Sequence, residues 1–450
     1  MKKILLLLSI IASFTTTNAQ WTSQATGFDV ASRGLSEIRI VDANTVWALA
    51  YDGLVTTNNI QEFTRTTNGG ASWTAGNITI GNPTLEINNI SPVNGNIAWV
   101  SALDPTIGNG VIYKTTDGGI NWTQQLSTGF QTTGDSFVNS VYFWNANEGI
   151  AYGDPTGSGA NRKFEIYRTT NGGANWSTVT GVNLPVALAG EYGYNNSPIV
   201  AGNTIWMTTS KGRLFRSSDK GATWVAFTSN QPIADYGGYS TPGTSGTLDF
   251  SNENNGCLLK TVGTTNPVYT FYTTTNGGQT WSAGTPFTGT RRILSYIPGT
   301  NTIVATSADT PVGTSVSIDN GTSWTDLEPT GIEQRGANAF LNITTGWCAG
   351  FSTDPATDGV FKLTGQLGIS NVAQSKFKVY PNPVTSSVTI SIADEDSYHL
   401  SITDLSGKIV MTKSFNGIEN TLDVSALATG AYFFELSTNN KKEVVKILKN

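Results

Sequence analysis

The chain of 450 residues is poor in the groups that do most enzyme chemistry: it has one histidine, two cysteines and three methionines, and only 13% of its residues are charged. The single histidine, His399, lies near the C-terminus, which leaves the first four-fifths of the chain without a Ser-His-Asp triad, a histidine metal site or a histidine base. No CxxC, phosphate-loop or dinucleotide fingerprint occurs, and the stretch Asp354–Gly359 lacks the remaining ligands of a calcium loop, so no cofactor and no metal are expected. Lys plus Arg number 26 against 32 Asp plus Glu, a formal charge of −6 that argues against nucleic acid as a partner. Cys257 and Cys348 fall in apolar stretches of different repeat units and are expected as two buried free thiols.

The sequence is rich in glycine, threonine, asparagine and serine, with 10% aromatics, a profile of an all-β, turn-dense protein rather than a disordered one. Lys2 and Lys3, the apolar run Ile4–Phe14 and the small-x-small ending Thr17-Asn18-Ala19 read as an export signal over residues 1–19, removed ahead of Gln20. That run is too short to anchor in a bilayer, and the mature chain is expected to have no transmembrane segment.

Six near-copies of one octapeptide pace the chain: Thr66–Trp73, Thr115–Trp122, Thr169–Trp176, Ser217–Trp224, Thr274–Trp281 and Ser317–Trp324, all fitting [S/T]-x-[D/N]-x-G-x-[T/S/N]-W. A Ser/Thr hydroxyl and an Asp/Asn oxygen two residues apart suit the N–H groups of a tight bend, glycine supplies a left-handed position, and the tryptophan opens the outgoing strand. Between the boxes lie apolar hairpins, seven in all, from Ile38–Leu49 to Ala339–Ala349. The period of about 50 residues with four short strands per unit predicts propeller blades. Gln20–Phe28 matches Asn121–Phe130, which follows the second box, and so reads as the outer strand of the last blade. The expected fold is an all-β, seven-bladed β-propeller over residues 20–366, with a six-bladed ring as the alternative, then a linker at 367–376 and a small antiparallel β-sandwich at 377–450.

The octapeptide resembles the Asp-box, or bacterial neuraminidase repeat, of several propeller families. Its structural positions are then Asn68 and Trp73, Asp117 and Trp122, Asn171 and Trp176, Asp219 and Trp224, Asn276 and Trp281, and Asp319 and Trp324. The tail resembles the type A C-terminal sorting domain of the type IX secretion system. The matching residues are Tyr380-Pro381-Asn382-Pro383, Asp404 with Gly407 and Lys408, Asp423, Gly430 and Tyr432, before a Lys-rich finish. The resemblance implies the secretion machinery as a partner, passage through the periplasm to the surface or outside, and removal of the tail.

In propellers of this kind the boxes mark one rim and the ligand funnel opens on the other. Asp52, Asp104, Asp154, Asp309 and Asp354 end second strands, while Glu37, Glu86, Asp135, Glu191 and Glu333 precede or begin first strands, and both sets are expected to border the funnel. Two loops, Val182–Asn196 and Ser229–Thr247, carry Glu191, Tyr192 and Tyr194, and Asp235, Tyr236 and Tyr239. Rings that stack on sugar faces and carboxylates that accept from hydroxyls would bind a glycan there, with Asp104, Asp154 and Arg335 nearby, and an extracellular protein is the other ligand expected. The same pieces also read as turn chemistry and loop packing. For glycoside hydrolysis or polysaccharide lysis the first candidates are Glu191 and Asp235. Sialidases share the Asp-box, but Glu37-Ile38-Arg39-Ile40-Val41 lacks the aromatic and proline of that family's arginine motif, and Arg291, Arg292 and Arg335 form no evident triad. The blade count is similar to the photosystem II assembly-factor propellers, which bind protein; only their architecture carries over.

Overall fold

The computed structural model describes residues 21–450 apart from 56, 127–128, 132–135, 196, 229, 239–242, 329–332, 352–353, 355–356, 366, 368–376, 393–396 and 439–441. The expected export signal and nearly all of the expected linker lie outside the described residues. The chain divides into two compact units, residues 1–368 and 369–450.

Among the described residues of the first unit are seven four-stranded antiparallel sheets, numbered here in chain order. Their innermost strands are Arg33–Ile40, Glu86–Pro92, Val138–Phe143, Ile199–Ala201, Thr244–Phe250, Ile293–Tyr296 and Asn338–Asn342. Each sheet packs on the next through its own apolar cluster. Trp47 and Phe63 of sheet 1 meet Ile90 and Trp122 of sheet 2 in one, and Trp347 of sheet 7 meets Val46 and Trp73 of sheet 1 in another, so the series returns on itself as a β-propeller. Sheet 7 is completed by the N-terminal strand, whose register runs from Trp21 opposite Leu363 to Ala25 opposite Gly359. The Trp21 indole, 4% exposed, donates to Thr314 Oγ1 of sheet 6 at 2.9 Å.

All six boxes join a third strand to a fourth, and all make the same three bonds. In the second box Thr115 Oγ1 donates to Asp117 Oδ1 (2.9 Å), Gly119 N donates to Thr115 Oγ1 (2.8 Å), and Asn121 N donates to Asp117 Oδ1 (3.0 Å). Gly119 is required twice over: its φ is +90°, and a Cβ there would stand 2.1 Å from the Phe63 ring of the preceding sheet. Trp122 then buries its indole against that same sheet, with Nε1 bonded to Gly119 O at 3.2 Å. The box is therefore a bend and an inter-sheet wedge at once.

A second tie repeats one residue before four of the six boxes, where the third strand carries Arg65, Lys114, Arg168 or Arg216, and at the matching Lys362 of sheet 7. Lys114 lies over the Trp99 ring at 4.8 Å and donates to Gly172 O of the next sheet at 2.9 Å; Lys362 lies over Trp347 at 5.6 Å and donates to Gly69 O of sheet 1 at 2.6 Å. Sheets 5 and 6 have Thr273 and Val316 at this position, and Cys257 and Val304 where the tryptophan would stand. Cys257 and Cys348 are both free and buried.

The second unit is a two-sheet sandwich. Phe377–Tyr380, Ser387–Ile392 and Glu419–Asp423 form one sheet; Ile409–Asn416, Ser397–Asp404, Gly430–Ser437 and Lys442–Lys449 form the other. Alternation puts Val388, Ile390, Ile392, Leu400, Ile402, Tyr432, Phe434 and Leu436 in the core, while Val444 faces outward at 58% exposure. The motif residues fix its turns and one edge. Asp404 Oδ1 accepts from Ser406 N (2.8 Å) and Lys408 N (3.1 Å), Gly407 takes φ +81°, and the Asn382 side chain pairs with Lys446 O and Leu448 N, both at 2.9 Å. Asp423 accepts from Ser425 N at 2.8 Å, and Tyr432 donates to Ala428 O at 2.9 Å.

Candidate functional site

The two aromatic loops do meet. The Tyr194 hydroxyl donates to Asp235, its ring lies edge-on to Tyr192 at 5.9 Å, and Gly193 N donates to Asp154 Oδ1 at 2.7 Å. The carboxylates nevertheless turn inward. Glu191 is fully buried and accepts from Leu188 N (2.8 Å), Thr209 Oγ1 (2.7 Å) and Arg213 Nη1 (2.8 Å). Asp235 is also fully buried, taking the Tyr194 hydroxyl and Gly237 N at 3.1 Å. Burial first, and Asp235 second, push the Tyr194 phenol well above its ordinary value. Tyr236 is 4% exposed within the cluster of Trp206, Leu214 and Ile233, while Tyr192 is half-buried. Burial also raises the Asp154 carboxyl to about 6. Tyr239 and Asp135 lie outside the described residues.

The remaining expected residues stand apart from this wall. Asp104 caps its own turn through Thr106 N (2.8 Å) and Ile107 N (3.3 Å). Arg335, 3% exposed, pairs with Glu328 and Glu333 at 2.9 Å each and lies 3.8 Å from the Phe361 ring centre. Arg291 is likewise internal, bound to Asp326 and to the carbonyls of Val312 and Glu328.

A cavity of about 490 Å³ runs between the inner strands, lined by residues of sheets 1, 3, 4, 5, 6 and 7. Its charged groups are Glu37, Arg39 and Asp249. Glu37 and Arg39 are two apart on one strand and share a face, and the Arg39 Nε–Glu37 Oε1 bond is 2.6 Å. From there the pair reaches sheet 4, which is not a neighbour of sheet 1: Ser197 Oγ donates to Glu37 Oε1 at 2.7 Å, and both Arg39 terminal nitrogens lie 3.4 Å from Pro198 O. The other Glu37 oxygen accepts Ile90 N of sheet 2 at 2.9 Å.

This last bond is one case of a pattern. An inner strand has no sheet partner on its axial edge, so its N–H and C=O groups need other partners. Asn89 serves Val141 N and O, Ser91 serves Phe143 N, and Asp249 accepts Tyr296 N at 2.7 Å. Burial raises the Asp249 carboxyl to about 6, opposed by the N–H groups of Tyr296 and Phe250 and the Arg39 charge. Tyr142 also lines the cavity, its phenol raised by burial, with Trp144 edge-on at 5.0 Å. Sequence reasoning did not rank Arg39, Asp249 or Tyr142 as site residues; the available signal was the charge pair Glu37 and Arg39 interleaved with Ile38 and Ile40 on an inner strand. Among the described residues no cluster of three or more His, Cys, Asp or Glu is placed to hold a metal ion.

The first unit is thus an Asp-box β-propeller and the second a sorting domain. The family described as "Secretion system C-terminal sorting domain" matches residues 378–450. The tail marks the chain for export by the type IX route to the cell surface or beyond. Two solved structures of YCF48 share the propeller. One, bound to a D1 peptide, is 13% identical with a TM-score of 0.51, covering 77% of this chain and 98% of its own; the other, from Cyanidioschyzon merolae, is 16% identical with a TM-score of 0.51, covering 77% and 99%. PorZ, a surface component of the type IX secretion system of Porphyromonas gingivalis, is similar at 13% identity and a TM-score of 0.34, covering 94% of this chain and 66% of its own. No curated protein matches by sequence. At these identities the two YCF48 structures speak for the fold alone. No helix among the described residues is long and apolar enough to cross a membrane.

Proposed function

We propose that the protein is an exported propeller that binds a glycan or an extracellular protein without transforming it. It leaves by way of the periplasm after loss of residues 1–19, and the tail beyond about residue 377 is removed on arrival. The observation that carries the binding reading is the enclosure of Glu191 and Asp235, whose oxygens are taken up by Leu188, Thr209, Arg213, Tyr194 and Gly237. A general acid or base must reach the proton it moves, and these two face the protein interior. Screening the exported protein against a polysaccharide panel, with retention and reducing-end release read together, tests this; steady release of reducing ends refutes it. Terminal mass spectrometry of the exported form is expected to find neither Met1–Ala19 nor most of Phe377–Asn450, and an intact tail on the surface form counts against the processing step.

The alternative is a glycoside hydrolase or polysaccharide lyase working from the axial cavity. It is favoured by one observation, the Asp249 carboxyl raised by burial in a cavity that Glu37 and Arg39 also line, since acid–base hydrolysis needs a carboxyl that can hold its proton. Asp249→Asn separates the two readings: it abolishes release in the enzyme and leaves retention by a binder within about two-fold.

A further inference from the structure

The axial cavity has features that the inner strands' own hydrogen bonding does not require. Tyr142 and Trp144 form an aromatic pair at the end of the third inner strand, where the chain turns back through Asn145 and Asn147. That turn is on the box side of the ring, because Asn147 O accepts Gly172 N of a box. Both rings pack on the cluster between sheets 3 and 4, and Tyr142 lines the cavity toward the mouth opposite the rim that carries Tyr192 and Tyr194. The exposed residue Thr247 lines the same cavity, as does Ser36, whose hydroxyl donates to Leu49 O at 3.4 Å, together with the axial edges of inner strands that alternate N–H and C=O groups.

Three properties narrow what would fit. A volume of about 490 Å³ is within the range of small-ligand sites, so one or two sugar rings enter and a protein surface does not. The charges are one guanidinium against two carboxylates, with no excess positive charge to hold a uronate, sulfate or phosphate. The Glu37–Ser197 bond and the Arg39–Pro198 contact join sheets 1 and 4 across the bore, so a chain entering from the box side meets that bridge. That bridge favours a chain end over a threaded polymer.

We infer that the box-side mouth of the cavity binds the terminal unit of a neutral saccharide chain end-on, with the Tyr142 ring as its stacking face and Arg39 and the Thr247 hydroxyl as its polar contacts. This rests on the reading of the protein as a non-catalytic glycan binder. It deepens that reading by moving the site from the aromatic rim loops to the opposite mouth and by specifying an uncharged, linear ligand. Neutral sugars present many hydroxyls that donate and accept together, which suits alternating backbone groups, and their apolar ring faces suit an aromatic platform.

The test uses the full chain and titration calorimetry with linear neutral hexasaccharides of gluco-, manno- and xylo- types in several linkages. A cyclic glucan, which has no end, and a hexauronate accompany them. At least one linear neutral chain is expected to bind, while the cyclic and acidic ones do not. Thr247→Trp places an indole in the bore two residues from Asp249 without disturbing a buried contact, and it is expected to weaken binding about ten-fold or more. Tyr142→Ala is expected to do the same, with Tyr192→Ala on the opposite rim unchanged; unaltered urea midpoints establish that each variant is folded. Should Tyr142→Ala fail that check, Thr247→Trp alone decides. Binding that survives Thr247→Trp and is lost in Tyr192→Ala overturns the inference while leaving the protein a glycan binder. Preference for the uronate, equal binding of the cyclic glucan, or no binding of any neutral chain also overturns it. Steady product release that Thr247→Trp abolishes overturns the non-catalytic reading and keeps the cavity as the binding site.

Discussion

Removal of the Glu37 carboxylate should destabilise the ring more than any other single polar change at its axis. The group is 5% exposed, and its two oxygens accept from three sheets at once: Arg39 at 2.6 Å, Ser197 at 2.7 Å and Ile90 N at 2.9 Å. Glu37→Ala leaves a guanidinium without its partner and a buried N–H without an acceptor. Breaking a buried pair costs about 3–5 kcal/mol, and because the Arg39 side chain retains 22% exposure the lower end applies, about 3 kcal/mol. Glu37→Gln preserves shape but must turn its NH₂ toward either Ile90 N–H or the Arg39 and Ser197 donors, for a loss of about 1–2 kcal/mol. Glu37→Leu with Arg39→Met removes both charges and should recover part of the alanine loss. Urea unfolding followed by tryptophan fluorescence suits the question, since all twelve tryptophans lie between Trp21 and Trp347 and none in the sorting domain. At a slope of about 3 kcal/mol per M or more, the alanine variant's midpoint falls by up to about 1 M. An alanine variant within about 1 kcal/mol of the parent, or a double variant no better than the alanine one, refutes the account of Glu37 as the axial tie.

Gly119→Ala must strain a φ of +90° and meet the Phe63 ring, for about 3 kcal/mol by urea unfolding, whereas Gly81→Ala, at φ +77° in open space, should cost only about 1 kcal/mol. Arg216→Met loses the bond to Glu253 O and the contact with Trp206, about 1–2 kcal/mol, measured in the same way. Asp154 and Asp249 are raised to about 6 from an unfolded value of about 3.9, so between these pH values the folded state holds more protons and stability falls as pH rises. Discounted for partial solvation, each contributes on the order of 1–2 kcal/mol, and Asp154→Asn with Asp249→Asn should flatten the slope of the urea midpoint between pH 4 and 6. Asp117, held down to about 2 by the Asn121 backbone and side chain, works oppositely: its contribution is present above its unfolded value and is lost as pH falls toward 2. Asn382→Ala frees the edge strand Lys442–Lys449 from two bonds and should lower the amount of protein exported, read by immunoblot of cell and medium fractions.

What was legible in the sequence was whatever is carried by neighbours along the chain. Thr115, Asp117 and Gly119 bond within one bend, so six copies of the pattern announced six bends, and the hairpins between them announced the strands. The match of Gln20–Phe28 to Asn121–Phe130 placed the closing strand because both do the same job at the edge of a sheet. The free thiols were readable as well, though not the reason for one of them: Cys257 fills the position where a neighbouring sheet carries a tryptophan under a cation. Glu191 and Asp235 were legible as residues in rich loops but not as buried ones. A carboxylate that faces Arg213 and Thr209 has the same letters around it as one that faces solvent, and the loop's inward turn is decided by partners about 20 residues away.

The axial residues were hidden for a stronger reason. Ser197 lies 160 residues from Glu37, and nothing local in either segment names the other. An inner strand must find partners for the backbone groups on its unpaired edge, and here Glu37, Asn89, Ser91 and Asp249 supply them from the neighbouring sheet. Polar residues near the axis are therefore a poor guide to function by themselves, because the ring needs them whether or not a ligand binds. The informative groups are those on which the ring makes fewer polar demands: Tyr142, which packs on the cluster between sheets 3 and 4 and edge-on to Trp144 while lining the cavity, and the exposed Thr247. A binding site in such a ring is best sought by subtracting the hydrogen bonds that hold it together and reading what remains, which in this chain moves attention from the aromatic loops of one rim to the bore behind the boxes.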